Sequence, residues 1–442
     1  MSDAALALAQ KYFDASNGEL FVGGIGVRAL AERYGTPAFI YDKAVIDRKV
    51  RALRQALPSR FSISYSVKAN PNLSVVRHLL SHGCGLEIAS AGEFHLALQA
   101  GCDARNVLFA GPGKSPAELE LVLSKGIGEI HLESLVEARR VSEISRRLGI
   151  RANVAIRVNP AAEAEGGAMR MGGRPAPFGV DEEILDGMVD AILAESVLLF
   201  RGIHVFAGTQ ILEADTLVGQ YRHGLAIARR AAHKVGAPLH TLDFGGGLGI
   251  PYFAHEKELD LDKVHTGLTA LFAETESDPD FSGTHFLVEP GRFLVGESGV
   301  YLARINDIKV SRGKKFLVLD GGMNHHLAAS GNLGQTIKRN YPVAIANKLN
   351  SAAEEAVDVV GPLCTPLDTV ARNVILPRAE IGDLLAIFQS GAYGRSASPL
   401  GFLSHPAPAE ILAGAGSDEL IAARGEITGF TVPLPAMKGS SR

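Results

Sequence analysis

The residues of this 442-residue chain that could do chemistry are spread along it, and the first is a lysine. The run Phe61-Ser-Ile-Ser-Tyr-Ser-Val ends on Lys68 and is stopped by Ala-Asn-Pro71, which places the amine at the carboxyl end of a strand. A lysine desolvated at the rim of a buried parallel strand has its pKa lowered and its lone pair freed for imine formation. The same stretch also fits a lysine snorkelling to the surface from an edge strand. Further along, Asp243-Phe-Gly-Gly-Gly-Leu-Gly249 sets bare amides directly after another strand, where they can approach a phosphate closely. The turn lacks the spacing and terminal Lys-Ser/Thr of a P-loop, so a cofactor phosphate fits better than a nucleotide. A tight turn with no ligand is the alternative.

Glu289-Pro-Gly291-Arg292 brings an acid and a base to the end of a further apolar run. An ionised carboxylate there suits a protonated ring nitrogen, and the guanidinium suits a phosphate or a substrate carboxylate, although a structural Glu/Arg pair reads the same way. His204-Val-Phe206-Ala-Gly-Thr209-Gln offers an imidazole, a flat aromatic face and a hydroxyl. A lone histidine such as His204 is more often a satisfied core group than a catalyst. Glu87 and Arg157 stand at the ends of two more runs, and the loops Gly361-Pro-Leu-Cys364-Thr365-Pro-Leu-Asp368 and Gly391-Ala-Tyr393 display a thiol, a carboxylate and a phenol. A free cysteine is usually a small buried hydrophobe and a tyrosine a packing residue. Together, though, these residues make a set: an imine-forming lysine, a phosphate cradle, a carboxylate for a ring nitrogen, a stacking ring and a proton donor.

Gathering that set requires strands whose ends converge. Eight short apolar runs, at 61–67, 85–89, 107–110, 127–132, 154–158, 200–207, 241–244 and 285–289, alternate with helix-period stretches such as 44–56, 72–82, 93–100, 116–125, 135–148 and 216–234. The rhythm predicts an α/β fold, a (β/α)8 barrel over 44–295, with an open doubly wound sheet as the alternative. In a barrel the strand ends meet at one mouth, which brings Lys68, Glu87, Arg157, His204, Gly245, Gly246, Gly247, Glu289 and Arg292 together. The stretch 159–181, rich in Gly and Pro, reads as a mobile loop over that mouth. Beyond about residue 295, strands at 314–319, 356–360 and 383–388 occur without regular helices. They predict a β-strand-rich C-terminal domain over 296–442 that also takes residues 1–43 and their one short strand, 38–42.

Composition bounds the partners. Lys and Arg total 44 against 48 Asp and Glu, a formal charge of −4, so no cationic surface awaits a phosphate backbone and nucleic acid is excluded. Cys84, Cys102 and Cys364 are too few and too scattered for a disulfide framework or a metal knuckle. No segment reaches membrane-spanning length and the N-terminus lacks a secretory pattern, so a cytoplasmic, metal-free protein is expected.

Taken in order, Tyr-Ser-Val-Lys68-Ala-Asn, Glu87-Ile-Ala-Ser-Ala-Gly-Glu93, Arg157-Val-Asn-Pro, Phe178-Gly, Gly-Ile-His204, Gly208-Thr-Gln, Asp243-Phe-Gly-Gly-Gly, Glu289-Pro-Gly-Arg292, Gly361-Pro-Leu-Cys364, Gly391-Ala-Tyr393 and Pro408-Ala-Glu410 carry a resemblance. The chain resembles the fold-type III pyridoxal-phosphate decarboxylases of diaminopimelate, ornithine and arginine, the diaminopimelate branch most closely. The resemblance implies an amino-acid decarboxylase that uses pyridoxal 5'-phosphate and works as a homodimer with shared active sites. It implies that Lys68 holds the cofactor, that Glu289 binds its pyridine nitrogen, and that Gly245–Gly247, Thr209 and Tyr393 bind its phosphate. Glu87, Arg157, His204, Phe206 and Gly291 would line the pocket, Arg292 would bind phosphate or a substrate carboxylate, and the partner subunit's Cys364 would help protonate the product.

Three departures bear on the substrate. The family's second strand-six histidine, which stacks on the cofactor ring, is Phe206 here, and Glu87 stands where aspartate is usual. Thr365 follows the loop cysteine where an acid is usual and pairs with the distal ammonium of lysine-like substrates. This implies a substrate with a neutral, acidic or acylated distal end, such as a carrier-bound glutamyl group or a citryl conjugate, in secondary metabolism or siderophore synthesis. Arg292, Thr365, Asp368 and Tyr393 are the expected substrate contacts. The alternatives are meso-diaminopimelate decarboxylation in lysine biosynthesis, with a loop shift presenting Asp368, a racemase or epimerase using the same imine, and a non-catalytic cofactor-binding protein.

Overall fold

The computed structural model describes residues 3–161, 169–170, 175–206, 208–253, 255–333, 335 and 337–426. The chain divides into two compact units, one formed by Ala44–Glu297 and the other by Met1–Lys43 with Ser298–Arg442. In the first, eight parallel strands carry the apolar runs: β1 (Phe61–Ser66), β2 (Gly85–Ile88), β3 (Val107–Phe109), β4 (Glu129–Leu132), β5 (Ala152–Asn159), β6 (Leu198–Val205), β7 (Thr241–Asp243) and β8 (His285–Val288). Each pairs with the next in chain order and β8 pairs with β1, so the sheet closes and leaves no edge. The expected (β/α)8 barrel is present, and the open sheet is not. Its strands read as unbroken apolar runs because both faces are covered; β4, for example, is buried over its whole length.

Three consecutive strand-to-helix turns share one device. Ser90, Ser115 and Ser134 accept hydrogen bonds from the backbone N–H of Glu93, Glu118 and Glu137 at the starts of helices Ala91–Gln99, Pro116–Ser124 and Leu135–Leu148. The three glutamates reach back to accept from the amides of Ala89, Ser115 and Glu133. Donors orphaned at each helix start are thereby satisfied, and the path of the chain as it leaves each strand is fixed. On another side of the barrel, Phe61, Tyr221, Phe244, Phe272 and Phe286 form an aromatic cluster in which Tyr221 and Phe244 lie 4.4 Å apart and Phe61 and Phe272 4.8 Å. Phe244 roots the glycine turn after β7 in that cluster.

In the second unit the long strand Gly299–Ser311 pairs with Ala38–Asp42 and Leu384–Ile387 along its first half and with Lys314–Leu319 along its second. Ala38–Asp42 also lies parallel to Ala409–Gly414, so the short strand near residue 39 sits inside the C-terminal sheet. Thr369–Leu376 and Ser417–Ala422 are strands that sequence reading passes over, because charged residues interrupt their apolar ones. Residues 1–43 also hold more than the one strand expected. Asp3–Tyr12 and Val27–Tyr34 are helices and Asp14–Ser16, Glu19–Val22 and Ile25–Gly26 form a small sheet, elements too short for their periodicity to stand out. Much of the expected loop at 159–181, namely 162–168 and 171–174, lies outside the described residues. Among the described residues no helix is long and apolar enough to cross a membrane.

Candidate active site

β1 ends at Ser66, and a single turn of 3-10 helix, Val67–Ala69, delivers Lys68 to the mouth. Its side chain is 51% exposed, with Nζ 3.3 Å from Glu87 Oε2 at the end of β2. The desolvated lysine expected from sequence is therefore half exposed, and an ion pair rather than burial orients its amine. Glu87 is held in turn by Ser66 Oγ, which donates to the same oxygen at 2.5 Å. The loop after β8 is fastened to this turn, since Ser66 N donates to Pro290 O at 3.2 Å and a Cβ at Gly291 would stand 3.0 Å from that of Ala69. Arg292 follows, its guanidinium 5.7 Å from the Tyr252 ring.

From β5, Arg157 Nη1 donates to Glu133 Oε1 at 2.7 Å, and Glu133 also accepts from the amides of Gly111 and Gly179. Burial pushes the Glu133 carboxyl up, but Arg157, the Gly179 amide and Lys114 together outweigh it and hold the group below its ordinary value. The Arg157 guanidinium, so fixed, lies 5.2 Å from the Phe178 ring and 5.9 Å from Phe206. Phe206 in turn lies against the glycine turn. Gly245, at φ +64°, would put a Cβ 2.9 Å from the Phe206 ring, and a Cβ at Gly246 would stand 2.5 Å from the Glu289 carbonyl oxygen. A side chain at either position would prise the ring or the end of β8 away. Thr209, next to Gly208 beside the same turn, is half-buried.

Behind the turn lies a buried cluster in which His131, His204, Asp243 and Glu289 each place a donor or acceptor atom within 4.8 Å of the others. Glu289 Oε2 is 3.2 Å from His204 Nε2, and its Oε1 is 3.9 Å from His131 Nδ1. Burial pushes the Asp243 carboxyl well up, and the charge of Glu289 adds to the rise. Burial acts on Glu289 in the same sense, yet His204, His131 and a hydrogen bond from Asp243 outweigh it and hold Glu289 far below its ordinary value. Two buried carboxyls in contact cannot both ionise, so Asp243 keeps the proton and Glu289 the charge. His204 is held down by burial. Apart from the proton held between these two carboxyls, neither Glu289 Oε1 nor Asp243 Oδ2 has a hydrogen-bond partner among the described residues.

The barrel mouth thus brings together Lys68, Glu87, Arg157, His204, Phe206, Thr209, Gly245–Gly247, Glu289, Gly291 and Arg292. Sequence reading missed Glu133 and His131 and gave Asp243 no role. Glu133 directly follows the run 127–132, so asking what ends that run would have found it; His131 shows no signal until the barrel closes. In the other unit Cys364 is exposed, whereas the barrel's Cys84 and Cys102 are buried. Tyr393 is half-buried at φ +53°, and the half-buried Thr365 accepts from Leu367 N through its hydroxyl. Asp368, expected at the substrate, is turned inward. It is 3% exposed, and its carboxylate accepts from the amides of Met323 and Leu363 at 2.7 and 2.9 Å. Gly322 and Gly361 pack against it with no room for a Cβ, so the group ties the loop to the segment at 322–323.

A family model for the pyridoxal-binding domain of pyridoxal-dependent decarboxylases matches residues 43–296. The chain belongs to that family. This decarboxylase is 38% identical over 402 residues to the L-glutamyl-[BtrI acyl-carrier protein] decarboxylase of Niallia circulans, covering 90% of this chain and 94% of the relative. It is 34% identical over 386 residues to the diaminopimelate decarboxylase of Archaeoglobus fulgidus, covering 86% and 89%. The crystal structure of M. jannaschii diaminopimelate decarboxylase in complex with L-lysine matches with a TM-score of 0.88 at 25% identity, over 96% of this chain and 99% of that one. The decarboxylase thus shares its fold, a closed barrel and a strand-rich unit, with a solved relative of the same family.

Proposed function

We propose that the chain removes the α-carboxylate of an amino acid whose distal end is neutral, anionic or acylated, presented on a carrier protein in the manner of a glutamyl group. The observation that carries this reading is the carboxylate inventory of the loop 361–368. Asp368 is its one acid, and that carboxylate is committed to the amides of Leu363 and Met323. Thr365 offers only a hydroxyl. A buried substrate ammonium left without a counter-charge costs about 3–5 kcal/mol, so lysine-like substrates are disfavoured. The 38% identity to a decarboxylase named for a carrier-bound glutamyl substrate supports the same choice. Carbon dioxide release should be measured for a panel of glutamyl-carrier thioester, citryl-diaminopropionate, meso-diaminopimelate, lysine and ornithine. A carrier-linked or acylated compound is expected to give the highest kcat/KM; a diamino acid in first place, with the others inert, overturns the reading.

Pyridoxal phosphate, when bound, supplies an electron sink for the pair left on Cα as the carboxylate departs. The fit rests on Glu289 Oε1, a buried acceptor to which no N–H donates among the described residues and which a ring N–H would satisfy. Glu289, held ionised and backed by His204, would favour a protonated ring nitrogen, and Phe206 would offer the ring a flat apolar face. The amides of Gly245–Gly247 and the hydroxyls of Thr209 and Tyr393 would bind the phosphate, while Arg292 would take phosphate or a substrate carboxylate. Lys68 Nζ, oriented by Glu87, would be the amine that holds the cofactor. Arg157, fixed by Glu133, lines the pocket near the ring.

The protein is proposed to be a homodimer in which the partner subunit's Cys364 gives a proton to Cα from Sγ; the exposure of that thiol supports an assignment across an interface. Inactive Lys68→Ala and Cys364→Ala subunits, once mixed and exchanged, are expected to regain about a quarter of wild-type activity per chain, since half the chains enter hybrids with one intact site. Exchange demonstrated without recovery rules the shared site out.

A further inference from the structure

Helix Lys43–Ala56 precedes β1, helix Leu73–Ser81 follows it, and between them lies a group of side chains that decarboxylation does not use. His78 and His82 stand one helical turn apart, His82 as the residue that caps the second helix. Their rings meet edge to face, 5.1 Å between centroids, and both Nε2 atoms lie 2.7 Å from one oxygen, Oδ1 of Asp47 on the first helix. The three side chains are partly exposed, at 19, 27 and 28%. Water can therefore enter and complete a coordination sphere.

Two imidazole nitrogens and a carboxylate oxygen all within 4.8 Å of one another are the donors of a three-residue zinc site. As hydrogen-bonded, each ring carries its proton on Nε2 and points it at the carboxylate. Binding a divalent ion moves each ring proton to Nδ1 and turns the Nε2 lone pairs and Oδ1 on the metal, with no net proton change on the rings. Donors on a tetrahedral ion at about 2.0–2.1 Å stand roughly 3.3 Å apart, so the present contacts need open by only about 0.6 Å. We propose that Asp47, His78 and His82 bind one zinc ion, with water in the remaining position, and that the ion pins helix Lys43–Ala56 to helix Leu73–Ser81. The choice of imidazole and a single carboxylate selects borderline metals such as zinc, nickel or copper over magnesium and calcium.

The test uses the full chain loaded with pyridoxal phosphate, freed of metal with a chelator and titrated with zinc chloride near neutral pH against a chromophoric competitor, with thermal melting alongside. One zinc per chain and a rise in Tm of a few degrees are expected in the wild type. The double variant His78→Gln/His82→Gln and, separately, Asp47→Asn should each bind at least about tenfold more weakly and lose the Tm response. Magnesium should give no response in any of them. Wild-type protein that binds no zinc, a double variant that retains the full stoichiometry because the ion sits elsewhere, or a magnesium response equal to that of zinc would each overturn the site.

Discussion

Lys68→Ala is expected to lose the cofactor's covalent attachment and to slow decarboxylation by roughly 10³-fold or more, the scale seen when a covalent catalyst is removed. Lys68 is the lysine carried to the mouth at the end of β1, and its Nζ is oriented by Glu87, itself gripped by Ser66. Wild-type protein treated with borohydride should carry added mass on the peptide containing Lys68, and its visible absorption band should vanish. In Lys68→Ala the added mass should be absent while the fold, read by circular dichroism, is unchanged. A reducible adduct that persists in the variant would mean that another amine holds the cofactor.

Glu289→Gln should be the next most damaging change. The substitution keeps the shape of the side chain and removes the one negative charge in a buried cluster whose other acid, Asp243, keeps its proton. A loss of about 10²–10³ in kcat is expected, typical of removing one preorganised electrostatic group. Asp243→Asn is the control, because an asparagine amide can still accept from Gly245 N and donate to Glu289. It should cost far less, and equal losses in the two variants would contradict the assignment of charge to Glu289. The effect of pH on stability follows from the same pair. The folded pKa of Glu289 lies below its unfolded value, so its contribution is present above the ordinary carboxylate range and fades only as pH falls through the lowered folded value. Asp243 is shifted the other way, so its contribution is complete below its ordinary value and shrinks as pH rises through the raised folded one.

Much of the fold was legible because barrel strands announce themselves. Each is a short apolar run buried on both faces, and at 85–89, 107–110 and 127–132 a Ser-x-x-Glu cap marks where the next helix begins. Strands in the second unit were harder, since exposed stretches let charged residues into Gly299–Ser311 and Thr369–Leu376. At the site, residues that stand at a strand end, such as Lys68, Glu87 and Glu289, could be named from position. His131 and Asp243 acquire meaning only through Glu289, which the barrel brings to them from another strand. Asp368 shows the opposite limit. Its residue type suggested a substrate contact, and only the positions of the Met323 and Leu363 amides reveal where its carboxylate is used. His78 and His82 carry a visible i, i+4 spacing, but their third partner, Asp47, lies on another helix.

The placement of Ala38–Asp42 between Gly299–Ser311 and Ala409–Gly414 also orders events on the ribosome. This strand emerges early, yet its first neighbour is not translated until residues 43–298 have followed, a delay on the order of tens of seconds at about 5–20 residues per second. Until then its backbone donors and acceptors have no sheet to join, while Ala44–Glu297 already contains every strand its own ring needs. The barrel can therefore form during synthesis, but the strand-rich unit is assembled only as the last part of the chain leaves the exit tunnel. Nascent chains arrested before Ala409 would hold a folded barrel and an early strand with one flank still open to intermolecular pairing.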